Sequence, residues 1–163
     1  MVVKGEVWKF GDDIDTDQIY PGKYLPLTDK KEMAKHAMEG VEGGEDFLRG
    51  VESGDILVAG KNFGCGSSRE HAAIAIKGAG IQIVMAKSFA RIFYRNCINM
   101  ALPILEMQEI DEINQGDELN IDIKSGKIEN LTTGKKYQAH PMTGLESEIM
   151  EAGGLLEYLK KHH

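Results

Sequence analysis

The residues best suited to chemistry lie together between residues 62 and 72, where the sequence reads Asn-Phe-Gly-Cys-Gly-Ser-Ser-Arg-Glu-His-Ala. Ser67 and Glu70 have the S-x-x-E spacing of a capping box, so a helix is expected to begin there. The free N–H groups and the positive dipole end of such a helix attract anions. Arg69 adds a planar guanidinium that matches a carboxylate. This stretch therefore predicts a carboxylate-binding loop.

A purely structural role for the same stretch stays open, because a capping box after a glycine-rich turn is a common way to start a helix. Three additions favour a binding role. Gly64 and Gly66 flank a single residue, which lets the backbone approach a ligand closely. A second hydroxyl, that of Ser68, adjoins the first, and Arg69 offers its donors beside both. Neither capping nor packing requires all of these together.

The stretch from residue 62 to residue 72 resembles the signature of the swivel domain in the aconitase superfamily. A cysteine between the two glycines, as at Cys65, makes the motif similar to that of the 3-isopropylmalate dehydratase small subunits within that superfamily. Two further segments agree in order and spacing: residues 13–19 resemble the family's N-terminal acidic motif, and residues 87–93 resemble its second helix start. The resemblance covers essentially the whole chain and implies a swivelling β/β/α fold of the α/β class, as a single domain over residues 1–163.

The resemblance also implies a reaction and a partner. Related enzymes are hydro-lyases that interconvert 2-isopropylmalate and 3-isopropylmalate by dehydration and rehydration in leucine biosynthesis. A large subunit is expected to hold a [4Fe-4S] cluster, while this chain holds no cofactor and no metal. The expected assembly is a heterodimer or heterotetramer, active only when both subunits are present, and self-association of the isolated chain is left open.

Site roles follow from the same resemblance, residue by residue. Ser67 matches the family's catalytic serine and is expected to be the base. Arg69 and Ser68 are expected to bind a substrate carboxylate, and Asp17 is expected to contribute from the acidic motif. The turn at Gly66, the following N–H groups and the helix dipole favour negative charge at the serine oxygen.

Substrate choice is assigned to a loop after the acidic motif, which comprises Tyr24, Leu25, Pro26, Leu27 and Thr28. Members of the superfamily that process tricarboxylates carry an arginine in this region, and this loop has none. Burying an unpaired carboxylate against apolar side chains would be costly, so the loop favours an isopropyl substituent. The alternatives are a homoaconitase or a citraconate/methylmalate hydratase small subunit, or a non-catalytic anion-binding module.

Composition narrows the remaining classes. The formal charge of −7 argues against nucleic acid or an anionic membrane surface as a partner. No apolar run reaches the roughly 20 residues that span a bilayer, and the N-terminus lacks a signal pattern, which predicts a cytoplasmic protein. Cys65 and Cys97 are too few for a zinc site or a cluster. Both are expected to be small buried apolar residues, with a disulfide as the minor alternative.

Periodicity predicts the elements that position these residues. The aspartates of residues 12–17 are expected to form an Asx-rich turn. A βαβ unit with parallel strands should carry the serine loop at the carboxyl end of its first strand. The predicted elements are an opening strand over 2–10, a helix over 30–38 followed by a mobile acidic connector over 39–45, a strand over 56–59, a helix over 68–79, a strand over 81–86, a helix over 89–100 capped by Ser88, an antiparallel meander after residue 108, and a helix over 142–159 broken at 153–154.

Overall fold

The computed structural model describes residues 2–67 and 69–162 of the chain. Within those residues one seven-stranded sheet has the strand order β4-β3-β2-β1-β5-β6-β7. The strands are β1 (Val2–Lys9), β2 (Ile56–Ala59), β3 (Ile83–Ala86), β4 (Ile104–Glu106), β5 (Glu118–Asp122), β6 (Lys127–Asn130) and β7 (Lys136–Gln138).

The first four strands are parallel, because each chain crossing between them runs through helices. β1 pairs with β2, β2 with β3, and β3 with β4, all in parallel register. Every residue of β2 and β3 is buried, as expected for strands covered on both faces. The predicted βαβ unit is confirmed, although β3 begins at Ile83 rather than at residue 81.

The remaining strands form the predicted antiparallel meander and curl the sheet. β1 pairs with β5 over residues 2–6, and β5, β6 and β7 follow by hairpins. A single bridge joins Glu106 to His140, where the His140 N–H donates to the Glu106 carbonyl at 3.1 Å. Because these residues lie at opposite edges of the sheet, the bridge draws its two edges together.

The curled sheet separates two hydrophobic cores. The larger core lies between the sheet and the helices, and Tyr20, Phe47, Phe63 and Phe93 are almost completely buried there. The smaller core includes Val58, Met85, Leu119 and Ile121. Each fully buried side chain of this size contributes about 1.5–3 kcal/mol relative to an exposed one, so the larger core is what holds the helices against the sheet.

Seven α-helices lie within the described residues, with short 3₁₀ segments at Gly22–Tyr24 and Gln108–Glu112. The helices are α1 (Thr16–Ile19), α2 (Lys30–Ala34), α3 (Gly44–Gly50), α4 (Glu70–Gly78), α5 (Arg91–Asn99), α6 (Gly144–Ala152) and α7 (Leu155–Lys161). The predicted break at Gly153 and Gly154 is confirmed, since both have positive φ and separate α6 from α7.

Several expectations need correction. The helix that begins after Asp29 ends at Ala34, four residues before the predicted end. The acidic connector is held in place rather than loose, because the Gly40 N–H donates to the Gln18 carbonyl at 2.9 Å and Gly44 is buried. Helix α3 and strand β4 were not predicted, since their few residues carry no extended periodicity.

Candidate functional site

Three loops meet at one end of the parallel strands, beyond the carboxyl ends of β1, β2 and β3. The loop after β1 contacts the loop after β2 through a parallel bridge between Asp15 and Cys65. The loop after β2 contacts the loop after β3 through a bridge between Phe63 and Phe89. Ligands of open α/β sheets collect at this end of the strands. All three motifs singled out in the sequence therefore come together in one place.

The segment after β3 supports the serine loop from below. The Phe63 N–H donates to the Ser88 carbonyl at 3.1 Å, and the Ala90 N–H donates to the Phe63 carbonyl at 3.0 Å. The Ser88 hydroxyl accepts from the Asn62 N–H at 2.8 Å. The prediction that Ser88 caps the following helix is therefore wrong: the N-cap of α5 is Ala90, and the serine hydroxyl bonds a distant backbone group instead.

Gly64 is required for packing. Its φ is +84°, and an added Cβ would lie 2.2 Å from Cγ of Phe93. The expectation that Gly64 allows close approach of a ligand is thus wrong, because the space beside it is filled by the protein's own core. Gly66 is exposed, has a φ of +97°, and fits the expected turn beside the serine.

The helix after the serine loop begins later than its capping-box pattern indicates. Helix α4 starts at Glu70, its N-cap residue is Arg69, and no side chain bonds the cap. The Arg69 N–H donates to the Ser67 carbonyl at 3.0 Å, so it is not directed at the serine hydroxyl. The predicted capping box between Ser67 and Glu70 is therefore wrong. Ser68, expected to bind a substrate carboxylate, lies outside the described residues.

Ser67 is exposed and contacts the hydroxyl-bearing side chain of the buried Thr16. The Thr16 hydroxyl donates to the Ser67 carbonyl at 2.8 Å, and the two hydroxyl oxygens are 3.4 Å apart. The Thr16 N–H also donates to the Cys65 carbonyl at 2.8 Å. Sequence reasoning missed Thr16, although its place beside Asp17 in the acidic motif was an available signal.

Arg69 and Asp17 form an ion pair across the two loops. Arg69 Nη1 donates to Asp17 Oδ1 at 2.8 Å and lies 3.4 Å from the Tyr20 carbonyl oxygen. The Gly22 N–H donates to the same carboxylate oxygen at 2.9 Å. The hydrogen bond from Arg69, followed by that from Gly22, lowers the pKa of Asp17. The carboxylate is thus ionised near neutral pH and orients the guanidinium.

The orientation of Arg69 leaves it suited to a ligand. Its side chain is 23% exposed, and the contacts that the structure records for its guanidinium use Nη1. Because a guanidinium carries five N–H donors in one plane, the remaining donors can bind a carboxylate while Asp17 holds the first edge.

The segment that leads into the loop expected to read the substituent lies beside this ion pair. An added Cβ at Gly22, two residues before the loop, would lie 3.3 Å from Asp17 Oδ1. Tyr24 and Leu27 pack partly on the larger core. The other three positions of the loop are exposed, namely Leu25, Pro26 and Thr28.

The two cysteines are free thiols and do not pair with each other within this chain. Cys97 is buried as predicted, whereas Cys65 is only half-buried. Burial raises the pKa of both thiols, and the nearby Asp15 and Asp13 raise that of Cys65 further. Across residues 2–67 and 69–162, no three His, Cys, Asp or Glu side chains are grouped as a metal site. These thiols do not fit an iron–sulfur cluster, which needs several converging thiolates.

Of the helices described, none combines the length and apolar character needed to cross a bilayer.

Comparison with known proteins gives one consistent family. The model of the Aconitase C-terminal domain matches residues 49–110. The 3-isopropylmalate dehydratase small subunit 1 of Thermotoga maritima is 56% identical over 99% of this chain and 96% of its own length. The isopropylmalate/citramalate isomerase small subunit of Methanocaldococcus jannaschii is 53% identical over 98% of this chain and 95% of its own length.

A solved structure agrees with these relatives. The crystal structure of 3-isopropylmalate dehydratase from M. jannaschii superposes with a TM-score of 0.95 at 52% identity, covering 99% of this chain and 95% of that one. Such identity over the full length carries both the fold and the family, and it favours this family over the homoaconitase and anion-binding alternatives. The chain belongs to the 3-isopropylmalate dehydratase small subunits of the aconitase superfamily.

Proposed function

We propose that this chain, joined to a large subunit, interconverts 2-isopropylmalate and 3-isopropylmalate by dehydration and rehydration. The observation that carries the proposal is that the neighbours Thr16 and Asp17 contact an exposed serine hydroxyl and a guanidinium, respectively, beyond the carboxyl ends of the strands. A hydro-lyase needs both groups, one to take a proton from carbon and one to bind the adjacent carboxylate.

Arg69 is proposed to hold a substrate carboxylate through donors that Asp17 leaves available. Removal of a proton from the carbon next to that carboxylate places extra negative charge on the carboxylate oxygens, forming an aci-carboxylate. A positively charged donor already in place stabilises that charge without further rearrangement. In this role Asp17 orients the guanidinium and does not itself move a proton.

Ser67 is proposed to accept the proton, for which its oxygen must first be anionic. Thr16 supports this state. Its hydroxyl now donates to the Ser67 carbonyl at 2.8 Å, and rotation would direct the same proton at the Ser67 oxygen, 3.4 Å away. Because Ser67 is exposed in this chain, a large subunit covering this end of the strands would exclude water and strengthen these interactions.

The large subunit is also where we place the [4Fe-4S] cluster and departure of the hydroxyl group. Two observations support this: the relatives are named as small subunits, and the thiols here do not fit a cluster.

The assembly is proposed to be a heterodimer or heterotetramer. The relatives act in biosynthesis, which supports a cytoplasmic location. One sheet running through the chain supports a single domain over residues 1–163.

The isopropyl group is proposed to lie against the loop formed by residues 24–28. Leu25 and Pro26 are exposed there and offer apolar surface with no guanidinium to meet a third carboxylate. If the loop reads the substituent, Pro26→Arg should lower the ratio of kcat/KM for isopropylmalate to that for homoaconitate. An unchanged ratio would remove the loop from substrate recognition.

The central test is anaerobic reconstitution with a family large subunit that carries an intact cluster. Formation of the unsaturated intermediate would be followed by its absorbance with 2- and 3-isopropylmalate. Citramalate, the methyl analogue in the name of the M. jannaschii relative, would be tested in the same way. Ser67→Ala should abolish turnover, while Ser53→Ala, an exposed serine before the amino end of β2, should leave it unchanged. Turnover surviving Ser67→Ala would reject the proposed base.

A further inference from the structure

Tyr24, the first residue of the loop formed by residues 24–28, forms a compact group with His36 and Glu39, which lie outside the chemical motifs singled out in the sequence. Its ring stacks on His36 with centroids 3.5 Å apart and planes 12° from parallel. Its hydroxyl donates to Glu39 Oε1 at 3.1 Å. The other oxygen of Glu39 lies 3.2 Å from His36 Nδ1. Each member of this group therefore contacts both of the others.

The backbone on both sides of Glu39 is fixed to the acidic motif. The Met38 N–H donates to the Ile19 carbonyl at 2.7 Å, and the Gly40 N–H donates to the Gln18 carbonyl at 2.9 Å. An added Cβ at Gly40 would lie 2.9 Å from Cα of Gln18, so the two backbone segments are in direct contact. Gln18 and Ile19 directly follow Asp17, so the position of Glu39 is set relative to the ion pair.

A second connection fixes the main chain of Tyr24. The Tyr20 hydroxyl donates to the Tyr24 carbonyl, and the Leu27 N–H donates to the same oxygen at 3.1 Å. Tyr20 stacks on His71 with centroids 5.5 Å apart, and His71 lies two residues after Arg69. The backbone of the loop is thus connected to α4, while the Tyr24 ring contacts His36 and Glu39, with the Tyr20 ring centroid 6.2 Å away.

We propose that His36 and Glu39 are positioning residues for substrate selectivity, which hold the Tyr24 ring and thereby set the distance of residues 25–28 from the Asp17–Arg69 pair. This inference rests on the proposed function, because it assumes that the loop receives the substituent on a carbon whose neighbouring carboxylate Arg69 holds. The two residues act through Tyr24 and do not touch the substrate.

Both side chains lie outside the two hydrophobic cores, which separates this role from general stability. The His36 side chain is 23% exposed and that of Glu39 is 36% exposed. A change at either residue is therefore expected to move the loop more than it destabilises the fold. The kinetic sign of a displaced loop is a rise in KM with kcat nearly unchanged, because the proton-transfer groups stay in place.

The test compares variants in the reconstituted two-subunit enzyme. His36→Ala removes the stack and the contact with Glu39, and should raise KM for isopropylmalate roughly tenfold, as expected when one stacked pair and one hydrogen bond stop holding a loop. The ratio of kcat/KM for isopropylmalate over its methyl analogue should fall as well. His36→Phe keeps a stacking ring and should recover most of the loss.

The matched control is His162→Ala, because His162 also lies against a tyrosine, with its ring centroid 4.2 Å from that of Tyr158, but directly after the C-terminal helix α7. That variant should have the KM of the wild type. Glu39→Gln provides an independent check, since it keeps an acceptor for Tyr24 and should change KM less than His36→Ala.

Two failures are distinguishable. If the wild-type pair of subunits does not turn over isopropylmalate, the proposed function fails. If it does, and His36→Ala matches His162→Ala in KM and in substrate ratio, the positioning role is overturned. A fall in kcat alone, with KM and the ratio unchanged, would also overturn it.

Discussion

Replacing Gly64 with alanine tests whether the serine loop is held in place by the core beneath it. The added Cβ would lie 2.2 Å from Cγ and 2.4 Å from Cβ of Phe93. Phe93 cannot simply move aside, because it is 1% exposed and its ring packs edge-on against Phe63 at 5.2 Å. Either the aromatic side chain shifts within the core or the loop moves outward.

The size of the effect has two parts. Alanine at the φ of +84° found at Gly64 costs about 1–2 kcal/mol, and forcing an extra methyl into a packed core costs about 1–3 kcal/mol. Gly134→Ala separates the two, since Gly134 has a φ of +81° and nothing within 4 Å of its added Cβ. The control should thus lose only the backbone part, about 1–2 kcal/mol.

Urea unfolding of the full chain, followed by circular dichroism, measures both variants on one scale. For a chain of this size each kcal/mol lowers Tm by about 2–4 °C, so thermal unfolding gives an independent comparison. With the large subunit present, Gly64→Ala should also lower kcat more than Gly134→Ala, because Ser67 follows the displaced turn. Equal losses of stability in the two variants would refute the packing argument.

Three further changes probe the site itself. Arg69→Lys should raise KM for isopropylmalate about tenfold or more, since a point charge cannot replace parallel N–H contacts, while urea unfolding should change by less than about 1 kcal/mol; a large loss of stability would make the residue structural. Thr16→Val removes the hydrogen bond to the Ser67 carbonyl, so it should lower the free energy of unfolding by about 1 kcal/mol and should also lower kcat. Thr16→Ser should restore kcat, and a Val variant with wild-type kcat would remove the hydroxyl from the mechanism. The pKa of Asp17 is lowered from 3.8, so the ion pair stabilises the fold above about pH 4 and this stabilisation is lost as the pH falls through the folded-state pKa. The difference in unfolding free energy between wild type and Asp17→Asn should therefore shrink in acid. A difference that stays constant with pH would contradict the ion pair.

Sequence patterns predicted the elements whose cause is local. Ile56–Ala59 is a continuous apolar run between turn signals, and it forms the buried strand expected of it. The glycines at 153 and 154 break the last helix because no residue with a side chain adopts their positive φ readily. The aspartate-rich turn also formed, with Asp15 and Gln18 as a complete capping box.

The two wrong predictions of helix caps share a different cause, which is contact with distant partners. Ser67 has the spacing of a cap, yet Thr16, 51 residues earlier in the chain, bonds its carbonyl and has its own hydroxyl oxygen 3.4 Å from that of Ser67. The Ser88 hydroxyl is used by the Asn62 backbone, 26 residues away. A capping pattern shows which hydrogen bond a side chain can form locally, whereas the tertiary structure determines which partner it contacts.

The charge around the site has a consequence for how substrate is bound. Asp17 partly neutralises Arg69, the other aspartates of residues 12–15 lie on the same loop, and the chain carries a net charge of −7. A dicarboxylate approaching the carboxyl ends of these strands therefore meets a guanidinium that Asp17 already shares. We expect the isolated chain to bind isopropylmalate weakly for this reason, since one exposed ion contact is worth little against repulsion and immobilisation. If the large subunit covers this site as proposed, we expect it to supply further positive charge, so that capture of the substrate and closure of the site would be the same event.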